Sequence, residues 1–267
     1  MLKIGFLTPY KHLPNFSKLV ESKYKCLDLT KSLQKVDYIF AAPNYIKYKI
    51  DQNIIDSTGA RAILTPSTGY NHIEKVDIPV YGIKGREVLK QITVTAEHAL
   101  YLILSIVRQH KPIHQLSNLT LGILGYGRLG KILESIGKNI FKDIVVKDLD
   151  YQDKNFFLDT DILSINIDFT DENTKYIDAK FINKFDKNIF IVNTARGEVV
   201  NENDILNMLG SKVNGYATDV VTGEHSSRPA LLKTIFHPNL IVTNHIGGTA
   251  LEAQELAYSE VLQFIYD

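Results

Sequence analysis

Arg196, Asp219, Glu224 and His245 are residues of the kinds that bind anions and carry protons, and each follows or closes an apolar run. Arg196 comes straight after "IFIVNTA" and before Gly197. A guanidinium donates two parallel hydrogen bonds and so matches both oxygens of a carboxylate. Asp219 closes "VNGYATD", and Glu224, in the loop "VVTGEHSSRP", is the one carboxylate between Asp219 and His245. His245 sits in "LIVTNHIGG". Histidine titrates near neutrality: the imidazolium protonates an alkoxide as a carbonyl is reduced, and the neutral ring accepts that proton in reverse. Each residue also has a plain reading: a surface ion pair for Arg196, an exposed loop acid for Glu224, a packed strand-end residue for His245. Their shared placement decides between the readings, because ligands of open parallel sheets bind just past the carboxyl ends of the strands.

A second pattern is "LGILGYGRLGKI", in which Gly125, Gly127 and Gly130 have the G-x-G-x-x-G spacing. The string alone is weak. Here an apolar strand leads into it and "RLGKILESIG" leads out with helical periodicity, so backbone can approach a pyrophosphate at a helix N-terminus. The next strand, "DIVVKD", ends in Asp148, where a carboxylate accepts the ribose hydroxyls of an adenosine and repels a 2′-phosphate; Asp150 is a substitute for that role.

These residues need a scaffold of alternating elements. "LKIGFL", "VDYIFAA", "ARAILTPS" and the short "VYGI" read as strands of a first series. "TVTAEHALYLILSIVRQH" reads as a helix capped by Thr93 or Thr95 and ended by Pro112. Its apolar residues nearly encircle it, which predicts burial between domains or subunits. Six strands follow, at 120–125, 143–148, 161–167, 188–195, 213–220 and 240–245, with "RLGKILESIGKNI", "DAKFINKF" and "NENDILNML" as helices. That is the count of a doubly wound dinucleotide fold.

Composition sets the outer limits. Hydrophobic residues at 45% and charged residues at 22% are globular values. Thirty basic against thirty acidic residues remove the electrostatic reason to expect nucleic acid. Cys26 stands alone, so no disulfide and no cysteine metal site forms within one chain. His110 and His114 are four apart, but Pro112 breaks the helix between them and no metal is expected. The apolar run at 99–107 is too short to cross a bilayer, and "MLKIGFLTPY" reads as a strand rather than a signal peptide, so no membrane partner and a cytoplasmic location are expected.

Seven segments in order, "LTPSTGYNHIE", "TAEHALYLILSIVR", "LGILGYGRLG", "LSINIDFTDENTKYIDAKF", "VNTARGEVVNENDIL", "YATDVVTGE" and "VTNHIGGTALEAQE", make the chain similar to the D-isomer-specific 2-hydroxyacid dehydrogenases. The resemblance implies an α/β protein of two doubly wound parallel-sheet domains, with a Rossmann NAD-binding domain (93–247) inserted into a smaller flavodoxin-like substrate domain (1–92) and a C-terminal helix (248–267) returning to the latter. It implies hydride transfer between NAD(H) and a 2-keto/2-hydroxy acid, and a homodimer with the helix from Thr95 as hinge and contact.

Carried onto this chain, Arg196, Glu224 and His245 are the catalytic set, with Glu224 pairing His245 as general acid/base. The cofactor contacts are Gly125, Tyr126, Gly127, Arg128, Leu129, Gly130, Asp148, Thr194, Ala195, Asp219 and Gly247, with Asp219 holding the nicotinamide carboxamide. Substrate contacts are Ser67, Thr68, Gly69, Arg196 and His245, with backbone N–H groups of Thr68 and Gly69 receiving the carboxylate. His98 is expected to be a packed residue only. The chain departs from the family's pattern at Asn244, where proline is usual, and at Asn166–Ile167–Asp168, where histidine, a small residue and proline are usual. A competing expectation is an NAD(H)-sensing, corepressor-like binding protein on the same fold.

Overall fold

The computed structural model describes residues 1–226 and 230–265. In chain order its principal elements are β1 (Lys3–Phe6), α1 (Pro14–Lys23), β2 (Lys25–Asp28), β3 (Tyr38–Phe40), α2 (Gln52–Thr58), β4 (Ala62–Leu64) and β5 (Val80–Tyr81). Then come α3 (Val94–Gln109), β6 (Thr120–Leu124), α4 (Arg128–Gly137), β7 (Asp143–Lys147), α5 (Phe156–Asp159), β8 (Ile162–Ile165), α6 (Ala179–Ile182) and β9 (Ile189–Asn193). The chain closes with α7 (Glu202–Met208), β10 (Val213–Thr218), β11 (Leu240–Val242) and α8 (Leu251–Val261). They form two compact units: residues 1–92, 225–226 and 248–265, and residues 93–224 and 230–247.

The first unit is a parallel sheet of order β2-β1-β3-β4-β5, the flavodoxin-like order. One face packs Leu7, Ile39, Ile46, Ile55 and Ile63. The other stacks Phe6 on Phe40 and sets Tyr258 of α8 edge-on against Phe16 of α1. Proline at the first position starts α1, and Glu255 of α8 accepts from the Asn15 and Phe16 N–H groups (2.9 and 2.7 Å), satisfying orphan donors there. Strand β2, "KCLD", is absent from the sequence expectations. It is a four-residue edge strand whose Lys25 and Asp28 are exposed, so it has no apolar signature.

The second unit is a six-stranded parallel sheet of order β11-β10-β9-β8-β6-β7. Successive strand residues face opposite layers: Ile189 and Ile191 pack with Phe181 of α6 and Ile205 of α7, whereas Phe190 and Val192 pack with Ile103 and Ile106 of α3. Burial on both faces explains why these strands read as continuous apolar runs.

Helix α3 buries Ala96, Ala99, Leu102, Ile103, Ile106 and Val107 within the second unit, while Tyr101 and Leu104 are exposed in the single chain. Its N-cap position is Thr93, whose hydroxyl turns to the Glu97 carboxylate (2.5 Å) instead of capping backbone, and the helix stops at Gln109, before Pro112. Strand β11 ends at Val242, so His245 lies beyond the strand it was expected to close.

Candidate active site

Strands β9, β10 and β11 are neighbours, and the segments leaving their carboxyl ends carry Arg196, then Asp219 with Glu224, then His245. Past β11 the chain still pairs with β10: Thr243 N–H bonds the Thr218 carbonyl and His245 N–H the Asp219 carbonyl, both at 2.9 Å. At His245 the backbone enters the left-handed region (φ 54°), which costs a non-glycine residue about 1–3 kcal/mol. That turn aims two successive N–H groups at one carboxylate. Ile246 N–H bonds Asp219 Oδ1 at 2.9 Å and Gly247 N–H bonds Oδ2 at 2.7 Å. The Thr243 hydroxyl donates to Oδ1 (2.6 Å), and His98 Nε2 stands 3.3 Å from the same oxygen.

Asp219 is only 3% exposed. Burial acts to raise its carboxyl, yet the contacts from His98, Thr243, Ile246 and Gly247 prevail and bring it from 3.8 down to about 2. The ionised carboxylate is what offsets the strained turn.

His245 Nδ1 lies 3.0 Å from Glu224 Oε1, with side chains 21% and 11% exposed. A carboxylate only accepts, so Nδ1 carries the proton and Nε2 is the nitrogen left to exchange one. The loop bearing Glu224 is anchored by buried Glu202, whose Oε1 accepts from Thr222 N–H at 2.7 Å. Burial raises the Glu202 carboxyl. The backbone of the same loop is also pressed against Gly197, where a Cβ would come within 2.1 Å of the Val221 carbonyl carbon. The residue after Arg196 is glycine because another backbone occupies its side-chain space. Arg196 donates from Nη1 to the Ala195 carbonyl (2.6 Å), while Asn193 Nδ2 donates to the Arg196 carbonyl (2.9 Å). Thr194, between them, is buried. Glu224 and His245 are thus joined directly, and Arg196 is brought alongside their loop through Gly197.

The glycine motif also has defined geometry. Gly125 has φ 92°, and a Cβ there would meet the Asn166 carbonyl carbon at 2.7 Å; a Cβ on Gly130 would meet the Gly125 oxygen at 2.3 Å. At Gly127 a Cβ would meet nothing within 4 Å. Gly127 is also the N-cap of α4 and gives it no side-chain cap. Open space over uncapped helix N–H groups suits a pyrophosphate. Leu129 packs into the core beneath, the Tyr126 hydroxyl donates to Glu134 (2.5 Å), and burial pushes the Arg128 guanidinium down from its usual range. Asp148 follows β7 half-buried, with Leu149 N–H donating to its Oδ1 at 3.0 Å. Asp168 is exposed, and Asn166 turns its amide N–H onto the Ser164 carbonyl (3.1 Å). The motif and Asp148 together fit a dinucleotide.

In the other unit, Ser67, Thr68 and Gly69 follow the carboxyl end of β4. Ser67 Oγ donates to the Gly69 carbonyl (2.7 Å) and lies 3.0 Å from the Thr65 hydroxyl, which contacts buried His72 at 3.1 Å. The sequence reading missed the part played by His98, Thr243 and Glu202. No local signal marks them, since His98 and Thr243 meet across 145 positions.

Residues 95–247, more than half of the chain, match the sequence profile described as D-isomer specific 2-hydroxyacid dehydrogenase, NAD binding domain. Among curated proteins, a glycerate dehydrogenase from Methylorubrum extorquens is 29% identical over 157 residues, which is 57% of this chain and 50% of that protein. The chain thus aligns with about half the length of that relative. A glyoxylate reductase from Thermofilum pendens is 27% identical over 78% of this chain and 71% of its own. The fold matches that of the NAD-dependent formate dehydrogenase from Staphylococcus aureus, solved in complex with NAD, with a TM-score of 0.78 at 22% identity over 100% of this chain and 96% of that one. The chain therefore belongs to the D-isomer specific 2-hydroxyacid dehydrogenases, and residues 95–247 are its NAD-binding domain.

Proposed function

We propose that the protein catalyses the reversible reduction of a 2-keto acid to a D-2-hydroxy acid with NADH. The observation that carries this reading is the 3.0 Å contact of His245 Nδ1 with Glu224 Oε1 on a partly exposed imidazole. Glu224 holds the tautomer, and His245 Nε2 gives its proton to the carbonyl oxygen as the alcohol forms, taking it back in the oxidative direction. Arg196 binds the substrate carboxylate by two parallel hydrogen bonds, assisted by backbone N–H groups of Thr68 and Gly69 beside Ser67. NAD(H), when bound, supplies or takes up the hydride. Gly125, Tyr126, Gly127, Arg128, Leu129 and Gly130 would hold its pyrophosphate, and Asp148 its adenosine ribose. Thr194, Ala195, Asp219 and Gly247 would lie at the nicotinamide end.

Residues 1–92 serve as the substrate domain in this reading, with 248–267 returning to it. The exposed Tyr101 and Leu104 of α3 support a homodimer through that helix. No helix among the described residues is long and apolar enough to cross a membrane, and we assign the protein to the cytoplasm. The test is a panel of 2-keto acids with NADH, followed at the nicotinamide absorbance. Turnover of at least one acid, abolished in His245→Ala, is expected. Tight NADH binding with no turnover of any acid would replace this reading with that of a sensor.

A further inference from the structure

His98 sits one turn into α3, with a side chain only 10% exposed, and α3 lies across β9, β10 and β11. Its Nε2 is 3.2 Å from the Thr243 hydroxyl and 3.3 Å from Asp219 Oδ1. The direction of these contacts follows from the partners. Thr243 gives its one hydroxyl proton to Asp219, so its oxygen faces His98 as an acceptor, and a carboxylate accepts only. Both contacts therefore require the proton on Nε2. The ring also covers the turn itself: Cδ2 lies 3.4 Å from the Cβ position of Gly247, and Tyr101 packs on the ring at 5.5 Å between centroids.

We propose that His98 is a positioning residue: its Nε2–H completes the donor set on Asp219, and Asp219 holds the 243–247 turn that presents His245 to Glu224. The role of His245 as proton carrier is taken from the function proposed above, whereas the clamp rests on geometry alone. Without that donor the buried carboxylate is less well compensated, and its bonds to Ile246 and Gly247 weaken. The left-handed turn at His245 then relaxes, and the imidazole spends less time against Glu224. Asp219 and Gly247 also stand at the nicotinamide end in the function proposed above, so loosening this turn acts on cofactor placement as well as on His245.

The test compares His98→Met, which keeps volume and removes the donor, with His98→Gln, which restores an N–H donor. Two readouts are taken: amide hydrogen exchange at Ile246 and Gly247 in NAD-free protein, and kcat and KM with NADH and glyoxylate or pyruvate. Losing a hydrogen bond to a charged group predicts exchange at both amides faster by about ten-fold or more in His98→Met, with a comparable fall in kcat/KM. His98→Gln should recover most of both. Unchanged exchange in His98→Met overturns the proposal, as does a kcat loss without faster exchange, or a glutamine variant as impaired as methionine. Exchange decides the clamp even if no keto acid is turned over, so failure of the functional reading is told apart from failure of this one. If His98→Met does not fold, Thr243→Val strips the same oxygen of its other side-chain donor and is read by the same criteria.

Discussion

Replacing Asp219 by asparagine should destabilise the protein in a manner that depends on pH. The carboxyl is lowered from 3.8 to about 2 in the folded chain, where burial opposes ionisation and the donors of His98, Thr243, Ile246 and Gly247 outweigh it. A tenfold ratio is about 1.4 kcal/mol, so the ionised form contributes about 2 kcal/mol to folding. Because the folded pKa lies below the unfolded one, that contribution is complete above pH 3.8 and disappears as pH falls through about 2. Asparagine also sets an NH₂ group where one oxygen now accepts, leaving a donor such as Gly247 N–H facing another donor, at a cost of about 1–3 kcal/mol. Urea denaturation at pH 7 should show Asp219→Asn less stable by at least about 2 kcal/mol, with the gap narrowing by about that amount between pH 4 and pH 2. A gap below about 0.5 kcal/mol at pH 7, within the usual scatter of surface substitutions, would refute the view that this carboxylate holds the turn. So would a gap that does not change with pH.

Gly197→Ala should cost about 1–3 kcal/mol, since its methyl would fall 2.1 Å from the Val221 backbone; a thermal midpoint equal to wild type would show that the two loops part freely. Arg196→Ala and His245→Ala should each reduce kcat/KM for the best keto acid by at least about 100-fold, and near wild-type turnover in His245→Ala would remove it from the mechanism. Asp148→Ala should raise the activity ratio of NADPH to NADH, because the carboxylate that repels a 2′-phosphate is gone; an unaltered ratio speaks against Asp148 as the ribose ligand.

What the residue string determined is the part governed by local period and local sterics. Apolar strands alternating with helices are visible because both faces of the second sheet are covered, which leaves no polar alternation to confuse the pattern. The glycine motif is legible because its spacing falls between an apolar strand and a helical stretch; Gly130 answers a clash inside that unit, against the Gly125 oxygen, whereas Gly125 is pressed by Asn166 from another strand end and Gly127 leaves open space. Arg196, Glu224 and His245 could be picked out by type and by position after apolar runs, but not their mutual geometry.

Tertiary structure decided what depends on pieces distant in the chain. Strand β2 exists because β1 offers it an edge, not because "KCLD" favours extension. The left-handed backbone of His245 is bearable because Asp219, on the neighbouring strand, collects the two N–H groups that follow it. His98 reads as packing on its own helix, and becomes a donor to that carboxylate only when α3 lies across the sheet. Side-chain type is encoded one residue at a time, but whether a donor finds an acceptor is set by which strand ends the fold brings together.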